Sequence, residues 1–211
     1  MELTNQGLPK IVLPKQHLSW SAMNCFLSNP KRFRKEYFEG SPRLDTKYLR
    51  FGKGIAKMIE EGKHKQLLPG LPVYKIPEYE IRVNVLGVPI LSYLDSYDPD
   101  RNVFIEYKTG TQPWDMARVI KHDQLLMYAV ALKHLTGKMP QFCDLVWIKT
   151  QVGGLEIDDF WHENEGMVNC TGEIISFHRE FKDKEIKRME DKILKTALEI
   201  SDAYKKFINE I

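Results

Sequence analysis

The chain has 211 residues, 43% hydrophobic and 28% charged, with a formal net charge of +2; these proportions suit a folded globular protein and exclude a disordered or fibrous one. No apolar run is long enough for a membrane-spanning helix and no secretory signal opens the sequence, so no membrane association and an intracellular location are expected. Three cysteines (Cys25, Cys143, Cys170) show neither metal-ligand spacing nor the even count of a disulfide framework.

After an irregular start with Pro9 and Pro14, LSWSAMNCFLSNPKRFRKEYFEG (18–40) reads as helix, with Ser19 as N-cap and Asn29-Pro30 as a break into two. TKYLRFGKGIAKMIEEG (46–62) predicts another helix, apolar at Ile55, Met58 and Ile59, with Gly62 as its stop. A bend containing Pro69, Pro72 and Pro77 leads to three predicted strands at about 78–86, 88–97 and 102–108, with turns at Gly87 and at DPDRN (98–102). WDMARVIKHDQLLMYAVALKHLTG (114–137) reads as one helix ended by Gly137, and FCDLVWIKT (142–150) as a buried strand. Weaker strands are expected near 155–161 and 172–179.

From Lys182 the chain is a long amphipathic helix. Ile186, Met189, Ile193, Ala197, Ile200, Tyr204, Phe207 and Ile211 recur at three- and four-residue steps. That stripe is read as packing against the rest of the chain, with a coiled-coil dimer seam as the alternative. The order of elements predicts an α/β fold: a central mixed β-sheet flanked by helices, with a long C-terminal helix.

The strand NVFIEYKTG (102–110) closes on Glu106 and Lys108, two apart and so on one face. The preceding strand ends ILSYLDSYD, and a short antiparallel turn can bring Asp95 beside Glu106. Converging acids repel and are costly to desolvate unless a cation sits between them; Mg²⁺ or Mn²⁺ does this with hard oxygen ligands. A lysine beside such an ion completes a kit for hydrolysing a phosphodiester. A solvated Asp/Glu/Lys cluster at a sheet edge is the plain alternative. In the next helix Gln124 and Tyr128 stand four apart on one face, able to bond phosphate, sugar or the acids.

In order, LDSYDPDRNVFIEYKTG and QLLMY resemble the PD-(D/E)XK nuclease superfamily, in particular its RecB-type branch, in which an Asp, a (D/E)xK and a QxxxY follow one another. The opening LSWSAMNCFLSNPKRFRKEY is similar to the branch's S-x-S-x-L-x-x-F-x-x-C-P-x-x-F, and the likeness spans about residues 18–150. It implies a restriction-endonuclease-like core within one domain over 1–211: a helical, basic part (1–75), a catalytic core (76–150), and strands with the C-terminal helix (151–211). It also implies Asp95, Glu106 and the backbone carbonyl of Tyr107 as ligands of Mg²⁺ or Mn²⁺, Lys108 as catalytic lysine, and Gln124 and Tyr128 as orienting or DNA-contacting residues. Two departures stand out. Asn29 occupies the place of the branch's cluster-binding Cys and no C-terminal Cys cluster follows, so no iron–sulfur cluster is expected. Ala56 stands where a metal-binding His is usual; Glu60, one turn on, is the candidate substitute ligand, ahead of Glu61 and His64.

A nuclease must hold a polyanion. Residues 1–75 carry 14 Lys/Arg against 6 Asp/Glu, whereas residues 76–180 carry 9 against 16. A basic surface beside an acidic centre is the arrangement this suggests, with scattered solvated charge as the alternative. Arg32 and Arg34 are the candidate phosphate contacts, and Trp20, Phe33 and Tyr37 are placed either to stack on bases or to fill the core. The resemblance thus implies a metal-dependent deoxyribonuclease working on DNA ends in recombination, repair or viral DNA processing, alone, as a homo-oligomer or with a recombination partner protein. The alternatives are an endonuclease and a catalytically weak DNA-binding relative.

Overall fold

The structure, a computed structural model, describes residues 10–43, 45–152 and 168–210. Five strands form one sheet in sequential order: β1 (Ile76–Val85), β2 (Val88–Asp98), β3 (Val103–Gly110), β4 (Phe142–Val152) and β5 (Val168–Glu180). Neighbours are antiparallel except β3 and β4, which run parallel. A parallel pair requires a crossover, here supplied by α5 (Met116–Ile120) and α6 (Asp123–Thr136). The chain therefore adopts the expected α/β class with a mixed central sheet. The strand expected near 155–161 lies outside the described residues.

Local chemistry accounts for the element ends. Val85 pairs with Val88, so the first hairpin has a two-residue loop, and Leu86 (φ 51°) and Gly87 (φ 85°) both take the left-handed conformation that such a loop demands. Ser19 caps α1 (Trp20–Ser28) by accepting the Ala22 N–H at 3.3 Å. Asn29 then caps α2 (Pro30–Phe33), accepting the Arg32 N–H at 3.0 Å, and the chain continues through a π-helical turn, Arg34–Phe38. Thr46 caps α3 (Lys47–Glu60), and the short α4 (His64–Leu67) follows the left-handed Gly62.

The two faces of the sheet are covered by different helices. One core joins α1, α6 and α7 (Asp183–Asn209) to residues such as Ile81, Leu94, Phe104 and Leu145; the other joins α3 to Ile105, Val146 and Ile148. Every residue of α6 from Gln124 to Leu132 is buried, the mark of a helix enclosed on all sides. The stripe on α7 lies in the first core through Ile186, Met189, Ile193, Ala197 and Ile200, and Tyr204 and Phe207 extend it onto Phe38 at ring distances of 5.1 and 5.4 Å. Through these residues it is a packing face and not a coiled-coil seam; Ile211, also expected in the stripe, lies outside the described residues. Among the described residues no helix is long and apolar enough to cross a membrane.

One element departs from expectation. Residues 114–137 are two helices rather than one, separated at Lys121 and His122, where His122 is extended (φ −81°, ψ 94°). The buried Arg179 of β5 explains the break. Its guanidinium donates to the Val119 and His122 carbonyls at 2.9 and 3.2 Å, adding a second donor to carbonyls that here accept the His122 and Leu125 N–H in three-residue turns (both 3.1 Å) instead of the four-residue bonds of a continuous helix. Gln124 thereby falls in the first turn of a new helix instead of the middle of a long one.

Candidate active site

β2 and β3 pair over only three residues each, from Asp98↔Val103 to Ser96↔Ile105, while β3 continues along β4 to Gly110. Beyond Ser96 and Ile105 the two strands part, and the next residues on either side of the opening are Asp95 and Glu106. The Tyr107 N–H on this side finds no strand partner; it donates instead to Asp95 Oδ2 at 2.6 Å. The end of β3 is pinned by two further bonds, Tyr107 OH to the Pro72 carbonyl (2.6 Å) and Trp147 Nε1 to the Gly110 carbonyl (2.9 Å).

Lys108 joins the strand to the helix. Its ammonium donates to Glu106 Oε1 at 2.6 Å and to Gln124 Oε1 at 2.7 Å. Gln124 Nε2 in turn donates to the Tyr128 hydroxyl at 2.8 Å, a bond made by the four-residue spacing on α6. His122 Nε2 lies 3.2 Å from Gln124 Oε1. Burial, followed by the charge of Lys108, lowers the His122 pKa to about 4, so the ring is neutral near pH 7 and donates to the amide. The structure thus links Glu106, Lys108, Gln124 and Tyr128 by side-chain hydrogen bonds, and holds Asp95 next to them through the Tyr107 N–H.

The carboxylates are placed at a cost. Burial first, and the charge of Glu106 second, push the Asp95 carboxyl well above the usual carboxylate range. Glu106 is only 3% exposed, and its Oε2 is buried with no hydrogen-bond partner. An orphaned anionic oxygen in a native interior calls for an ion or a water. Lys108 answers only for Oε1. The described residues contain no complete cage of three or more His, Cys, Asp or Glu side chains. Two carboxylates, one with a vacant buried oxygen, nevertheless fit a hard dication that keeps most of its waters.

Other expected residues fall in different places. Glu60 ends α3, exposed, and its charge acts on Glu78 of β1. Glu61 pairs with Lys63 at 2.7 Å, and His64 is buried. Arg32 is held by Glu36 at 2.5 Å and shares a groove with Trp20 and Arg43. Arg34 packs on the C-terminal helix instead, 5.0 Å from the Phe207 ring and 3.5 Å from Glu210. Phe33 and Tyr37 are core residues, stacked at 4.5 Å, which removes them as base-stacking candidates. Trp20 and Trp114 both meet the His122 ring edge-on, at 6.1 and 5.1 Å, and Arg118 lies 3.8 Å over Trp114. Sequence reading missed His122, hidden in an apparently continuous helix, and Glu78, whose position depends on strand register.

No family profile and no curated protein matches the chain. Solved structures do match its fold. A candidate exonuclease from Eubacterium rectale superposes with a TM-score of 0.57 at 12% identity, covering 97% of this chain and 88% of that one. The alkaline exonuclease LHK-Exo of Laribacter hongkongensis, in complex with dAMP, gives 0.54 at 13%, covering 93% and 94%. A phage-related exonuclease from Haemophilus somnus 129PT gives 0.50 at 15%, covering 93% and 86%. At such identities the likeness establishes the fold, and that fold is the nuclease-like one the PD-(D/E)XK resemblance implied.

Proposed function

We propose that the chain is a metal-dependent DNA nuclease, an exonuclease acting on DNA ends. The observation that carries this reading is the buried, unpartnered Oε2 of Glu106 at the parting of β2 and β3, with Asp95 across the opening and Lys108 beside it. Asp95, Glu106 and the Tyr107 carbonyl would hold Mg²⁺ or Mn²⁺, which when bound supplies Lewis acidity and an activated water. Lys108 then faces the scissile phosphate and stabilises the charge that grows on it. Gln124 keeps the ammonium aimed, and Tyr128 keeps Gln124 in one rotamer. Arg32 and the Trp20 ring, on the groove beside the site, would receive the backbone and a frayed base. The exonuclease folds matched above support the end-directed form of the reaction.

A second reading has its own observation. Lys108 and Glu106 form a salt bridge, and a cation already in place can make a metal unnecessary. Together with Ala56 this favours a DNA-binding relative with little or no activity. Incubation of linear duplex and covalently closed circular DNA in Mg²⁺ or Mn²⁺, with Glu106→Ala as the control for contaminating nuclease, separates the two. Loss of the linear form alone is the expected result. Cleavage of the circle would indicate an endonuclease. Binding to DNA with neither form degraded would establish the second reading.

A further inference from the structure

A third acid stands in line with the two already described. Pro77 pairs with Ser96 and Tyr79 with Leu94, so Glu78 of β1 is level with Asp95 of β2, and Asp95 is the residue that follows the last β2–β3 pair before Glu106. Glu78, Asp95 and Glu106 therefore form a row across three adjacent strands. At φ 48° Glu78 occupies the left-handed region, where glycine or asparagine is at less cost. The β-sheet alternation is also interrupted nearby: Leu94 and Tyr97, three apart, contribute to the same core.

The surroundings leave this row short of positive charge. Lys108 is committed to Glu106 Oε1 and Gln124, and the second Glu106 oxygen is buried without a partner. Burial, then Glu60, then Glu106 hold the Glu78 carboxyl above its ordinary range. Glu78 is half-buried, whereas Glu60 is exposed at the end of its helix. Among the described residues no three acids converge closely enough to chelate directly, and a cation such as Mg²⁺ retains several waters that need acceptors.

From this geometry we infer that Glu78 is the third acid of the metal centre, contributed by β1 and holding a water of the ion bound at Asp95 and Glu106, in preference to Glu60. The inference rests on the proposed metal centre. Its residue-level consequence is that Glu78 is a positioning residue for the ion, acting through water.

The test is Mn²⁺ binding to the DNA-free protein, read from the electron paramagnetic resonance signal of free Mn²⁺. Glu78→Gln should weaken binding about tenfold, the loss typical of an outer-shell partner of a metal, while Glu60→Gln changes it by less than about twofold. Glu78→Gly, which suits the left-handed backbone, removes the carboxylate and should show the same loss, with a thermal melt to confirm that the variant is folded. Glu106→Gln reports on the centre itself. If Glu106→Gln abolishes binding and both Glu78 variants bind as the wild type, the role of Glu78 is refuted and the centre stands. If the wild type binds no Mn²⁺, or Glu106→Gln binds as well as the wild type, both fall.

Discussion

Gln124 Oε1 accepts from Lys108 Nζ at 2.7 Å, so the lysine is held between the end of β3 and the first turn of α6. A lysine has four rotatable bonds, and its two fixed acceptors, Gln124 and Glu106, select one direction for the ammonium. If that direction serves the phosphate, the two residues should fail differently. Lys108→Met removes the charge and should lower kcat about 100- to 1000-fold, as loss of a preorganised electrostatic group does. Gln124→Ala leaves the charge and loosens its aim, so kcat should fall about tenfold with little change in KM. Equal losses in both variants would argue that Gln124 is needed for folding, which a thermal melt would reveal.

Asp95 makes the metal-free protein sensitive to pH. A carboxyl whose folded pKa lies above its unfolded value adds stability that is complete below about pH 4 and is lost as pH rises through the raised value. Burial and the charge of Glu106 place Asp95 in this class. In chelator, the wild type should therefore lose stability relative to Asp95→Asn as pH increases from 4 toward 8. Adding Mg²⁺ at pH 8 should restore the wild type and leave Asp95→Asn unchanged. Melting temperatures of both proteins across this range, with and without Mg²⁺, give the comparison; parallel curves in chelator would show that the Asp95 carboxyl titrates normally.

The extent to which this arrangement could be read from the sequence follows the range of the interactions that make it. Glu106 and Lys108 meet because strand side chains alternate, and Gln124 and Tyr128 meet because helix side chains repeat every three or four residues. Both rules operate within a few residues, and the sequence displays them. The break at Lys121–His122 depends on Arg179, some sixty residues further on, and no pattern near 121 signals it. Glu78 looks like one acid among several until the pairing of β1 with β2 sets it opposite Asp95. Phe33 and Tyr37 lie in a basic segment, and only their packing on Phe26 and one another shows that they belong to the core. Arg34 likewise looks interchangeable with Arg32 until α7 arrives beneath it.

His122 supplies a second pH effect, of the opposite sign. Its folded pKa is lowered to about 4, so the folded ring stays neutral while an unfolded one gains a proton near pH 6.5. The stability it contributes is complete above pH 6.5 and is lost as pH falls toward 4. Urea unfolding at pH 7.5 and pH 5 should therefore show a drop in the wild type larger by about 1–2 kcal/mol than in His122→Gln, which retains a donor for Gln124. An equal drop in both proteins would mean that the imidazole is charged in the folded state.

Arg32 and Arg34, two residues apart, should respond differently to substitution. Arg32 lies on the groove with Trp20, and its partner Glu36 is a carboxylate that a phosphate can replace. Arg34 is engaged with Glu39, Glu210 and the Phe207 ring, which ties the π-helical turn to the last turns of α7. If Arg32 neutralises a phosphate, Arg32→Ala should weaken DNA binding and reduce the slope of log K against log salt by about 1. Arg34→Ala should leave that slope unchanged and lower the melting temperature, because it removes a packing contact as well as a charge. Salt titrations of DNA binding for both variants, with melts alongside, decide the assignment; a reduced slope for Arg34→Ala would move the path of the DNA toward the C-terminal helix.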